Sequence, residues 1–188
     1  QFDGLSTGAT AKFLPVYHLV NGRYDRVPNA AMNSVKTTMM DAIKNHRHVI
    51  VLVNMGLHYI DNPVKGFTKN DYHDQVETML KYLQSVTIEH PQHNIQIVWR
   101  ETTAQHFATP NGYWPGSKFS ASLQFGCVPL QDASPQVDWR NRIVEDVILK
   151  NNLFNVKILR FYNLTVPLWS EHPNGHLRDC THFCWSPM

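Results

Sequence analysis

Val49-Ile50-Val51-Leu52-Val53 constrains this chain more than any other stretch. Every residue in the run except Leu52 is β-branched, and none is polar. Branched side chains favour extended backbone, where they pack on a pleated surface. A strand apolar on both faces belongs in the middle of a covered parallel sheet. The run stops at Asn54-Met55-Gly56-Leu57-His58-Tyr59. Ligands of open α/β sheets bind beyond the carboxyl ends of the strands, which makes Asn54 and His58 candidates for a site.

The neighbouring segments alternate as an α/β chain should. Residues 13–20 read as a short extended segment, with Pro15 pointing to an edge or a strand start, and Asn21-Gly22 reads as a turn. The spacing of Val35, Met39, Ala42 and Ile43 predicts a helix over residues 30–45. A second helix over residues 70–89 would bury Val76, Met79, Leu80 and Leu83. Asn70 or Asp71 would cap it, and His90-Pro91 would end it. Residues 94–99 form the second strand and run into Arg100-Glu101-Thr102-Thr103. Residues 104–135 lack periodicity, and a loop this long is usually functional or stapled. Asp138 caps a third helix over residues 139–150 with Ile143, Val147 and Ile148 facing in, and residues 155–159 form the third strand. The order implies a three-layer α/β fold with a parallel sheet. At 188 residues, one domain over 1–188 can bury a sizeable core.

Composition removes several function classes. The hydrophobic share is 43% and the charged share 17%, a globular balance. The net charge is +2 and no Lys/Arg run exceeds two residues, so nucleic acid and anionic membranes are poor partners. The longest apolar run, Val49 to Val53, is far too short for a membrane span. The eleven histidines add positive charge at acidic pH. The first residue is Gln1, which suggests a processed terminus or a cut from a longer precursor. Of three cysteines two can pair, and Asn163-Leu164-Thr165 is a glycosylation sequon. Together they favour the secretory pathway or the extracellular space.

Asp179-Cys180-Thr181-His182-Phe183-Cys184 puts a carboxylate, an imidazole and two thiols within six positions. A carboxylate three residues before a histidine can accept from one ring nitrogen and leave the other free to take a proton. Zinc is a rival, because His172, His176, Cys180, His182 and Cys184 are possible ligands within thirteen positions. Their spacing is looser than that of structural zinc sites, and no metal or organic cofactor is expected. A disulfide-tied tail without chemistry is the third reading. Cys127 could pair with Cys180 or with Cys184.

The tail resembles the Asp-Cys-Ser-His-Trp-Cys box of the PC-esterase family, which includes the plant trichome-birefringence-like polysaccharide O-acetyltransferases. Asn54-Met55-Gly56-Leu57-His58-Tyr59 is similar to that family's Asn-Thr-Gly-His-Trp-Trp box. The stretch from Arg100 through Thr103 to His106-Phe107 is similar to its Arg-Thr-x-Ser-Pro-x-His-Phe box, and the loop ending at Cys127 resembles the segment that follows it. The resemblance implies an SGNH-type hydrolase, a flavodoxin-like α/β/α sandwich. It implies a serine in a Gly-Asp-Ser box, a triad completed by Asp179 and His182, and Asn54 at the oxyanion.

This chain has no Gly-Asp-Ser; Asp3-Gly4-Leu5-Ser6 is the nearest candidate. The expectation is therefore a fold incomplete at its N-terminus, with the serine on a preceding part of the precursor or on another chain. The implied activity is O-acetyl transfer or ester hydrolysis, with an acyl donor and a carbohydrate or glycoconjugate acceptor as partners, in the Golgi lumen or outside the cell. The alternative is a non-catalytic structural or binding module of an extracellular assembly. His58, Tyr59, Arg100, His106 and Trp114 are candidate substrate-binding residues, with Arg100 leaning towards a structural ion pair and His106 towards fixing the loop. Asn163 is the candidate glycosylation site.

Overall fold

The computed structural model describes residue 12 and residues 30–57, 59, 68–109, 112–114, 126–130, 138–173 and 179–183. Two compact units make up the chain, residues 1–47 and residues 48–188. The first contributes helix α1 (Ala30–Asn45), on which Met32, Met39 and Ile43 are buried and Val35 is half-buried. The expected strand at residues 13–20 lies outside the described residues, as do His58 and Cys184.

The second unit is an α/β arrangement of β1 (His48–Val53), α2 (Lys69–Glu89), β2 (Asn94–Arg100), α3 (Trp139–Lys150), β3 (Val156–Leu159) and the short α4 (Tyr162–Thr165). The three strands lie in the order β1-β2-β3 and both pairings are parallel. The register sets Val49, Val51 and Val53 beside Ile95, Ile97 and Trp99, and Ile97 and Trp99 beside Val156 and Ile158. Ile97 and Trp99 are fully buried on this face, where α2 packs against β2 and against α3. On the opposite face Ile50 and Leu52 are 71% and 60% exposed.

That exposure corrects one expectation. Among the described strands β1 is an edge and β2 is the centre. Burial in the middle strand comes from neighbours on both sides, which the composition of β1 alone does not report.

Helix α2 starts earlier than expected. Thr68, not Asn70 or Asp71, is its N-cap: the Thr68 hydroxyl accepts from Asp71 N at 3.1 Å. The Asp71 carboxylate returns the contact to Thr68 N at 2.8 Å, closing a capping box. Val76, Met79, Leu80 and Leu83 are buried as the periodicity requires. Asp138 caps α3 as expected, accepting from Arg140 N at 2.8 Å. The inward stripe of α3 is Arg140, Val144 and Val147, however, with Ile143 and Ile148 only partly buried.

Arg140 is 2% exposed and anchors the loop after β1. Its Nε donates to Gly56 O at 2.8 Å, and its guanidinium donates to Tyr59 O at 2.6 Å and to Asp138 Oδ2 at 2.8 Å. Tyr113 and Trp139 rings lie 5.2 and 4.8 Å from the same group. Asn141 does the equivalent for the segment after β2: it accepts from Thr102 N at 2.8 Å and donates to Thr102 O at 3.1 Å. Two adjacent side chains of one helix thus fix the carboxyl ends of two strands.

Replacing Arg140 with Met strands the Asp138 carboxylate in the interior and is expected to cost about 3–5 kcal/mol in urea unfolding. Gly56 sits at φ +140°, and an added Cβ would lie 3.0 Å from Arg140 Cδ and from Thr102 Oγ1. Gly56→Ala is therefore expected to cost about 1–3 kcal/mol in the same measurement.

Candidate functional site

The carboxyl-terminal tail is held against the segment that leaves β2. Cys180 is bonded to Cys127 with the Cα atoms 5.3 Å apart, which settles the partner that three cysteines left open. The bond closes a loop across 53 positions and, on the chain-entropy account, stabilises the fold by about 4 kcal/mol. His106 lies between the two arms. Its N–H donates to Cys180 O at 2.9 Å, and its carbonyl accepts from Val128 N at 2.9 Å. Gln105 Nε2 donates to Thr181 Oγ1 at 2.9 Å.

Within this tail the expected pair is formed. Asp179 Oδ2 lies 2.6 Å from His182 Nδ1. Asp179 Oδ1 accepts from Thr181 N and His182 N, each at 3.0 Å. Aspartate side chains favour such local turns, and this one folds the imidazole back onto the carboxylate. Burial pushes the Asp179 carboxyl up, but hydrogen bonds from the His182 backbone and ring and from Thr181 outweigh it. The net effect holds it below the usual carboxylate range, so at neutral pH it is an anion that accepts from Nδ1–H. That tautomer leaves the His182 Nε2 lone pair available to take a proton. The His182 side chain is 68% exposed, and among the described residues no serine hydroxyl is bonded to it.

Asn54 and Arg100 form a second cluster at the strand ends. Asn54 Nδ2 donates to Arg100 O at 2.9 Å, and the Arg100 guanidinium donates back to Asn54 Oδ1 at 3.0 Å. Arg100 also lies 5.1 Å from the Phe161 ring. Burial lowers its pKa, though from a value high enough that it stays charged. The cluster ties β1 to β2, but the expected ion pair is not what does so: among the described residues Arg100 meets an amide and a ring, and no carboxylate. Among the described residues no hydrogen bond joins it to Asp179 or His182.

Two candidate substrate contacts are placed in the interior instead. Tyr59 is fully buried, with its hydroxyl donating to Gln75 Oε1 and its ring 4.8 Å from that of Tyr72. Burial raises its pKa, with the Asp71 charge adding to the effect. His106 is fully buried as well, so it fixes the loop and meets no ligand at the surface. In both cases an amphipathic ring found enough partners inside the fold to be covered. Trp114 is 38% exposed and keeps its place as a candidate wall. The zinc reading loses two ligands: Cys180 is in the disulfide, and both ring nitrogens of His172 are in hydrogen bonds.

The sequon has a partly structural explanation. Asn163 is exposed on α4, but Thr165 is buried, donating to Tyr162 O at 2.8 Å and accepting from Ala104 N at 2.9 Å. Glu101 takes no catalytic position. It accepts from Arg160 at 2.8 Å and from Phe161 N and Tyr162 N at 2.8 and 3.0 Å.

Comparison with family models, with curated proteins and with solved structures returns no match. Sequence reasoning missed Arg140 and Asn141, and it saw His172 only as a rival zinc ligand. Arg140 was findable: it shares the helical stripe of Val144 and Val147, which marks a charge facing inward.

Two outcomes check the tail. A non-reducing peptide map should yield one fragment linking Cys127 to Cys180; free thiols at both positions would refute the staple. Asp179 has its carboxyl pKa depressed by folding, so its support of the tail is full above about pH 4 and lost as pH falls through the lower folded value. Tail amide shifts followed by NMR should show that acid step, and Asp179→Asn should remove it.

Proposed function

We propose that this chain belongs to a serine-type O-acyl transferase or esterase acting on O-acetyl groups of a polysaccharide or glycoconjugate. The observation that carries the reading is the 2.6 Å contact of Asp179 with His182 Nδ1, in a tail whose letters resemble the PC-esterase box. The contact leaves the imidazole in the tautomer a general base needs.

In this mechanism His182 Nε2 takes the hydroxyl proton of a serine as its oxygen attacks the acyl carbonyl. Asp179 stabilises the imidazolium that forms. The Asn54 amide gives one hydrogen to the Arg100 carbonyl and has a second to offer the oxyanion, together with backbone N–H groups. His182 then returns the proton to the departing oxygen. A sugar hydroxyl or water attacks the acyl-enzyme, with His182 again as the base. The serine is one that the described residues do not supply, and Ser6 lies outside them. The parallel strands and the helices packed on one face are compatible with a part of the three-layer SGNH sandwich. The disulfide supports a protein that matures in an oxidising compartment such as the Golgi lumen or outside the cell. Among the described residues no helix is long and apolar enough to cross a membrane.

The test is acetate release from an acetylated polysaccharide, or acetyl transfer to one, by the full protein and its variants. His182→Ala and Asp179→Ala should each lower kcat by about 10²–10⁴-fold. Asn54→Ala should lower it by about 10²–10³-fold. An unchanged rate in His182→Ala would refute the acyl-transfer reading. Inactivity of the wild type on every ester, with carbohydrate binding retained, would favour the binding module.

A further inference from the structure

Three short contacts run in line from the end of α4 to the tail. His106 Nε2 lies 2.9 Å from Val166 O. His106 Nδ1 lies 2.7 Å from His172 Nε2. His172 Nδ1 lies 2.6 Å from His182 O. A carbonyl oxygen only accepts, so His106 Nε2 and His172 Nδ1 must each carry a hydrogen. The middle contact joins the two nitrogens that remain, and a hydrogen bond there needs a third hydrogen. Two neutral imidazoles carry only two between them. A complete line therefore requires one proton more than two neutral rings hold, shared across the 2.7 Å contact, and one positive charge on the pair.

Both rings are buried, so a lone pair facing a lone pair there would go uncompensated. The Phe183 ring lies over His172 at 4.4 Å with a 30° tilt and stands edge-on to His106 at 6.1 Å. An aromatic face beside an imidazolium is attractive.

The geometry points to the His106–His172 pair as the positioning element of the tail: with its shared proton all three bonds hold and His172 is fixed between His106 and the His182 carbonyl, and without that proton one of the three must break. His106 and His172 never touch a reacting atom in this scheme. They act through the backbone of His182, whose side chain is at the surface.

The charged groups around the pair set the direction of its response. Burial weakens the hold of both rings on a proton. For His106 the Val166 carbonyl works against burial and the charge of His172 works with it. For His172 the His182 carbonyl and Asp179 favour the proton, and His182 opposes it. The net direction is down for both rings, so the shared proton is given up on the acid side of the ordinary histidine range. The line is complete on the acid side of that transition and broken on the alkaline side. This inference stands on the hydrogen count; only its effect on rate rests on the acyl-transfer reading.

The test is imidazole ¹⁵N NMR of the full chain from about pH 4 to 8, spanning the histidine range. His106 and His172 should titrate together, taking up one proton between them. A far-downfield shared proton should be present on the acid side, with the His182 carbonyl ¹³C shift moving in step. Rings that titrate independently to two full cations, or that stay neutral throughout, would overturn the inference. In His106→Leu, a neutral His172 can donate Nδ1–H to His182 O at every pH. The shared proton should vanish, and the step in the carbonyl shift that accompanies it should vanish with it; a step of unchanged size counts against the pair. Should that variant fail to fold, the wild-type titration decides. Where acyl transfer is measurable, the ratio of wild-type to variant rate should fall as pH rises, and a flat ratio would overturn the positioning role. No acyl transfer at any pH, with the titration intact, would refute the function and leave the pair standing.

Discussion

The second unit of this protein depends on one buried cation. Arg140 is 2% exposed, and a charge in such a place is tolerable only when paired and fully hydrogen-bonded. Asp138 supplies the opposite charge and accepts from Nη1, and the carbonyls of Gly56 and Tyr59 accept from Nε and Nη2. Burial pushes the Asp138 carboxyl up, and the charge and hydrogen bonds of Arg140 pull against it. The arrangement makes the loop after β1 part of the interior. Asn141 extends the same helix end to Thr102, so the ends of β1 and β2 share one anchor.

The platform so built receives the tail. Residues 101–107 are all buried; Cys180 and Thr181 bond to them directly, and His182 through His172. The disulfide limits how far Cys180 can move, and His172 Nδ1, 2.6 Å from His182 O, limits how the backbone of His182 can turn. The result is an exposed imidazole on an anchored backbone. A general base needs that combination: its nitrogen must reach a reactant, and its position must not wander.

Much of the architecture was legible in the chain. Apolar spacing located α1, α2 and α3, because burial imposes a period on sequence, and a continuous branched run located β1. The errors have physical sources. Asn70 and Asp71 are good capping residues by type, but Thr68 and Asp71 close a reciprocal box that a single-residue preference does not weigh. The apolarity of β1 exceeds its burial, since Ile50 and Leu52 face outward. Tyr59 and His106 have surface-capable side chains, and only the packed fold shows that both are covered.

The Asp179–His182 contact was determined by the sequence itself. It spans three positions, and a local turn in which Asp179 accepts two backbone N–H groups is enough to make it. The choice of Cys180 over Cys184 for Cys127 was decided by tertiary structure, as were the pairing of His106 with His172 and the burial of Arg140. These groups lie 53, 66 and more than 80 positions from their partners. Short-range contacts follow from backbone geometry that neighbouring residues set. Long-range ones exist only after the sheet and helices have brought distant chain together, and the 2.7 Å contact of His106 with His172 is a consequence of that approach.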